Sequence, residues 1–424
     1  MDNIEKISNA PKSKKKSSTR NKNNEISNQK WAIISLSSIP LVMTLGNSML
    51  IPVLPLMEKE LSISSFKISM IITVYSIVAI FLIPLAGYLS DRIGRKKVIV
   101  PSLIIAGIGG LISGWAAWKL DNAYWIILAG RALQGVGAAG AMPIVLPLVG
   151  DMFKKDDDVN KCLGLIETSN TFGKVLSPIL GSLLAGFIWF LPFFSIPVFC
   201  AVSVLMILFL VKSPKKNEKP IPFKDFFKNV KNTFNKKGRW LYAIFFIGAV
   251  LMLVLFGILF YLSEIFETEY KIKDMKKGFF LALPLGILCL SSFISGKLIK
   301  KNKVLMKWLI FGGIIASAFS IAALWISIKL WFIISMFLIC GVGIGVGLPC
   351  LDALITNGIE KKERGTVSSI YSSMRFIGVA AGPPMIALLM KQSNHWIFIS
   401  LCSLCVIAAI VALISIKPSN QAQE

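Results

Sequence analysis

Five ionisable residues stand inside stretches that are otherwise apolar: Arg131, Glu167, Lys174, Asp352 and Arg375. Moving one such charge to the centre of a bilayer costs about 2.5–3.5 kcal/mol on insertion scales, so a charge kept there faces a cavity or a partner. Within "ETSNTFGKVLSP" (167–178), Glu167, Asn170, Thr171, Lys174 and Pro178 recur at helical spacing and share one face. A carboxyl group on such a face can carry a proton, because burial disfavours its charged form and nearby cations favour it. Glu167 and Lys174 would lie about 10.5 Å apart along a helix axis, beyond a routine direct bond. Asn170, Thr171 or water is left to bridge them. Two readings of Glu167 stay open: a proton carrier that loads outside and releases inside, or half of a Glu–Lys pair that fixes the stripe. Lys174 either binds an anionic substrate or competes with the proton for Glu167. Asp352, just after Pro349, is the second carboxylate candidate for proton coupling.

Enzyme chemistry finds no support. One histidine, His395, and few carboxylates in apolar surroundings give no nucleophile–base set. Cys402 and Cys405 form a C-x-x-C in an apolar run with no second pair nearby, which reads as packing.

The elements that hold these residues follow from composition. The chain has 424 residues, 55% hydrophobic and 16% charged, where a soluble domain carries about 25% charged residues. Segments 98–118, 308–328 and 396–416 are each 21 residues without a charge, enough to cross a bilayer as helix. Segments 31–57, 68–90, 240–263, 278–296 and 330–351 also qualify. The uncharged run 175–211 is 37 residues, too long for one crossing. Trp189-Phe190-Leu191-Pro192 supplies interfacial aromatics and a breaker for a turn there. Segments 125–150 and 366–390 each hold one arginine, and the total is twelve spans. Assigning alternate loops to the inside puts 34 Lys and Arg there and 9 outside. This pattern predicts cytoplasmic termini and accounts for the net charge of +24 without nucleic acid. No cleavable signal peptide is expected.

The chain also repeats itself. "GVGAAGAMP" (135–143) matches "GVGIGVGLP" (341–349), and Gly173–Pro178 matches Gly378–Pro383, at nearly one offset. Spans four and five thus correspond to ten and eleven, the plan of a carrier whose two halves rock about a central site.

Four motifs carry a family resemblance. "GYLSDRIGRKK" (87–97), "RALQGVGAA" (131–139), "GLIETSNTFGKVLSPILGS" (164–182) and "LGNSMLIPVLP" (45–55) resemble signatures of the major facilitator superfamily, in particular its twelve-span drug:proton antiporters. The resemblance implies a conformational latch at Gly87, Asp91, Arg92, Gly94 and Arg95, with Asp151 at the inner end of span four. It assigns Arg131 to proton coupling; the alternative is an arginine that snorkels to the interface. It makes Gly164, Gly173, Lys174, Pro178 and Gly181 an antiporter motif. Ser177 and Ser182 depart from its usual glycines, and Lys174 is a charge foreign to it. The second-half loop "GKLIKKNKVLMK" (296–307) lacks the latch aspartate.

The resulting expectation is an all-α integral membrane protein with twelve transmembrane helices in two pseudo-symmetric six-helix bundles. Its parts are a basic tail (1–30), a first bundle (31–212), a linker (213–239), a second bundle (240–416) and a tail (417–424). The tail 1–30 is expected to be disordered, with anionic lipid as a possible contact. Asn47, Gln134, Met142, Asn170, Phe245, Tyr371, Met374 and Arg375 are the expected cavity residues. The expected activity is proton-coupled export of an amphipathic small molecule across the plasma membrane, by a monomer without cofactor or metal. Its partners are substrate, protons and lipid. A proton-coupled nutrient importer and a lipid flippase or membrane sensor are the alternatives.

Overall fold

The computed structural model describes residues 29–153, 156–212, 223–299, 302–359 and 361–417. The basic tail 1–28, with its expected disorder and lipid contact, lies outside the described residues, as do residues 213–222 of the expected linker and the last seven residues. Twelve long helices follow in order: α1 (Lys30–Glu60), α2 (Ser65–Ile93), α3 (Arg95–Lys119), α4 (Tyr124–Met152), α5 (Asp156–Phe187) and α6 (Leu191–Leu210), then α7 (Phe223–Thr268), α8 (Asp274–Ile299), α9 (Lys303–Ala323), α10 (Leu330–Gly358), α11 (Lys361–Met390) and α12 (Asn394–Ser415). Among the described residues, eleven of these are long and apolar enough to cross a membrane. The other, α5, is 32 residues long and carries the polar stripe.

A membrane interior offers no water to backbone groups, so each span must close its own hydrogen bonds. Local sequence sets the ends. Ser64 caps α2 by accepting from the Lys67 N–H (3.4 Å). Asn302 caps α9 by accepting from the Leu305 N–H (3.0 Å). Gly94 ends α2 and starts α3 at φ 107°, a left-handed conformation that residues with a Cβ rarely adopt. The 175–211 run turns between Phe187 and Leu191, where the aromatic–proline signal lies. Helix α7 begins at Phe223, inside the expected linker, so the second bundle has an earlier helical start than its hydropathy indicates.

The repeat is physical as well as textual. Helix α4 packs on α2 and α3, and α10 packs on α8 and α9. Helix α5 packs on α1, and α11 packs on α7. A Cβ on Gly135 would lie 2.4 Å from the Tyr75 carbonyl oxygen of α2, and one on its counterpart Gly341 would lie 2.6 Å from the Pro284 carbonyl oxygen of α8. The glycines thus set backbone-to-backbone contact in both halves. Gly135→Ala is expected to lower the stability of the first bundle by about 1–3 kcal/mol, the usual cost of overpacking. The thermal unfolding midpoint of the purified protein checks this. Most contact between the halves is made by α2 with α11 and α5 with α8, and α1 also touches α7.

Candidate functional site

Helix α5 brings its polar stripe to the seam between the halves. Thr44 Oγ1 of α1 donates to Asn170 Oδ1 (2.6 Å), and Asn170 Nδ2 donates to Glu167 Oε1 (3.1 Å). Asn170 therefore ties Glu167 to α1 and does not bridge it to Lys174. Glu167 is exposed, whereas Lys174 is 8% exposed. Lys174 makes no hydrogen bond or ion pair among the described residues. The Glu–Lys pair open in the sequence is not formed in this structure.

The second half supplies the opposing groups. Arg375 Nη1 lies 3.4 Å from Asp352 Oδ1, joining α11 to α10. Tyr371, one turn before Arg375, is 3% exposed, and its hydroxyl lies beside Asp352. Glu167 and Lys174 sit within electrostatic reach of Asp352 and Arg375. Four ionisable side chains, two from each half, thus share one seam. Counting along the helices, Glu167 is eleven residues into α5 and Asp352 six residues before the end of α10. Both lie toward the face where α1 begins and α12 ends, called here the tail face.

Arg131 takes a different place. It is fully buried between α1, α2 and α4. It donates to the Ile71 carbonyl (2.8 Å), the Gly46 carbonyl (2.9 Å), Asn47 Oδ1 (2.8 Å) and Gln134 Oε1, and its guanidinium lies 4.6 Å from the Tyr75 ring centroid. Every one of these partners is neutral, and no carboxylate is among them. Nor does the arginine snorkel to an interface.

This cage revises several expected cavity residues. Asn47 and Gln134 spend their side-chain oxygens on Arg131. Met142 packs with the core of the first bundle, and Met374 with that of the second. Phe245 is 3% exposed and stacks on Tyr371 at 6.0 Å, so it supports the seam from behind. Asn170, Tyr371 and Arg375 remain at the seam. In the antiporter-like stretch, Gly173 faces Leu41 and Thr44 of α1, and a Cβ on Gly181 would lie 2.0 Å from the Met49 carbonyl oxygen. Pro178 meets α8 through its carbonyl at Gly278. Gly164 has open space beside it, so close helix packing does not explain that glycine.

At the tail face the latch residues form a network. Arg95 pairs with Asp91 (2.6 Å) and Asp151 (3.1 Å) and donates to Ser90 Oγ (2.8 Å), tying α2, α3 and α4. Arg92 is exposed beside it. Gly87 faces Ser369 of α11, which is where this loop region meets the second half.

The opposite face holds a group that sequence reading missed. Lys59 at the end of α1 and Lys277 on α8 each lie 2.7 Å from Glu267 of α7, one on each carboxylate oxygen. Glu267 is 7% exposed and Lys277 2%. Ser263 Oγ of α7 donates to the Ile51 carbonyl of α1 (2.8 Å), a second bond between the halves. A Cβ on Gly278 would lie 2.4 Å from the Pro178 carbonyl oxygen. The halves are therefore closed against each other at this face, while Glu167 is exposed toward the other.

Two pseudo-symmetric helix bundles with charge sheltered between them define a polytopic membrane carrier of the alternating-access kind. The chain belongs to the Major Facilitator Superfamily, whose family model matches residues 36–383. It is 54% identical to the "Bacillibactin exporter" of Bacillus subtilis (strain 168), over 92% of this chain and 98% of that protein. It is 26% identical to "Multidrug resistance protein 2" of the same organism, over 88% and 92% of the two chains. Among solved structures, a bacterial homologue of the human lysosomal transporter Spinster superposes with a TM-score of 0.75 at 15% identity, covering 92% of this chain and 97% of that one.

Proposed function

We propose that this chain exports a small secreted metabolite of the bacillibactin kind across the plasma membrane, in exchange for protons. The observation that carries this reading is the shared seam, where Glu167 and Lys174 of the first half lie within reach of Asp352 and Arg375 of the second. The name of the 54% identical relative supports the direction and the cargo. With the tail face cytoplasmic, as the basic residues predict, the cargo enters from the inside while the far face is sealed by Lys59, Glu267 and Lys277. Rocking of the halves opens the far face and releases it. Glu167 and Asp352 take up protons there and return them to the cytoplasm. Arg131 acts as a positioning residue that fixes α1 against α4. Protons supply the driving force without a bound cofactor, and a single chain suffices.

Inside-out vesicles with an acid interior test this with bacillibactin as cargo. Accumulation of cargo accompanied by proton release is expected. Glu167→Gln is expected to abolish the proton-linked component by about tenfold or more while leaving the unfolding midpoint in place. Accumulation without proton movement would contradict exchange, and no accumulation would contradict export.

A further inference from the structure

Lys174 is a buried cation without a partner. Its side chain is 8% exposed, and it makes no hydrogen bond or ion pair among the described residues. The two carboxylates within its electrostatic reach are committed elsewhere: Asp352 pairs with Arg375 at 3.4 Å, and Glu167 accepts from Asn170 at 3.1 Å. Arg375 repels it. Lys174 borders a small gap between the halves, walled by Leu255, Phe256 and Leu259 of α7 and by Leu281 and Leu285 of α8. A buried ammonium carries a desolvation cost that an opposing negative group offsets. Among the described residues, no carboxylate contacts the ammonium directly.

We infer that Lys174 is the anchor for an acidic group on the cargo, and that the cargo is an amphipathic anion whose apolar body lies along Leu255, Phe256 and Leu259 once the halves part and widen this water-sized gap. A cationic group at this position would meet the Lys174 ammonium and is disfavoured there. This inference rests on the export reading for its physiological sense, but the site it describes is tested separately.

Three probes of one shape separate the charges: 2-naphthoate, 2-naphthamide and 2-naphthylmethylammonium. Binding is measured by titration of the full chain in lipid nanodiscs, and transport in inside-out vesicles. The wild type is expected to bind 2-naphthoate at least about tenfold more tightly than the other two. Lys174→Gln should erase that preference, and Lys174→Arg should restore most of it. The unfolding midpoint of Lys174→Gln should not fall, because the lysine holds no partner. Equal binding of all three probes by the wild type, no binding of 2-naphthoate, or a preference that survives Lys174→Gln overturns the inference. Transport of the amide or the ammonium in preference to 2-naphthoate overturns it while leaving export intact. Lysine-dependent binding of 2-naphthoate alongside no accumulation of bacillibactin in the same vesicles sustains the anion site and defeats the export reading.

Discussion

Replacing Arg131 with leucine is expected to destabilise the first bundle by about 3 kcal/mol, because two buried side-chain acceptors lose their donor. Asn47 Oδ1 and Gln134 Oε1 both face the guanidinium, and both residues are buried. The Ile71 and Gly46 carbonyls keep their helix bonds but lose a second donor. The Tyr75 ring loses a cation worth about 2 kcal/mol at a desolvated site. Arg131→Lys keeps the charge but not the planar fork that reaches α1 and α2 at once, so it should recover only part of the loss. The thermal unfolding midpoint in lipid nanodiscs reads both effects. An unchanged midpoint with lost proton movement would move Arg131 from the scaffold into the coupling chemistry.

The second large effect is expected from Gly278→Leu. With a Cβ 2.4 Å from the Pro178 carbonyl oxygen and 2.8 Å from Ser182 Cβ, the new side chain cannot fit while α5 and α8 touch at the far face. Nothing opposes it once the halves part there. The substitution therefore penalises one conformation only, and each 1.4 kcal/mol of such a difference shifts the ratio of states by about tenfold. A steric penalty of about 3 kcal/mol shifts the ratio toward the open far face by about a hundredfold. Spin labels at Glu60 and Lys391, exposed positions on opposite halves, should report a longer distance than in the parent, and transport should fall by at least about tenfold. An unchanged distance would mean that the contact at Gly278 does not report on closure.

An anionic cargo would add to the driving force. A negative interior favours its exit by about 2.3 kcal/mol per charge per 100 mV, so voltage and inward proton movement push the same way.

The architecture was legible because it is written in long-range periodicity. Twenty-residue apolar runs, basic residues gathered in alternate loops and glycines repeated at nearly one offset each follow from the bilayer or from helix contact. Gly135 and Gly341 occupy matching contacts for the same reason they match in sequence. The site was legible in part. The α5 stripe identifies Glu167, Asn170 and Lys174 because helical periodicity places them on one face. Whether Glu167 pairs with Lys174 depends on Thr44 of α1, which holds Asn170 of α5 against Glu167, and no local pattern encodes that. Asn47 and Gln134 look like cavity polar groups until the guanidinium of Arg131 claims them. The Lys59–Glu267–Lys277 group was invisible because its members sit at span ends, where charge is ordinary, and Lys59 and Glu267 are 208 residues apart in the chain.

The account rests on one physical claim: ionisable side chains of both halves face a single aqueous seam whose access alternates between the two membrane faces. Single cysteines at positions 167, 174 and 352, in a chain freed of its native cysteines, test it with a membrane-impermeant thiol reagent applied from either side. Positions 167 and 352 should react from the tail face in the parent, and all three should become reactive from the far face when Gly278→Leu is added. Failure to react from either side, in both backgrounds, would place these residues away from water and contradict the account.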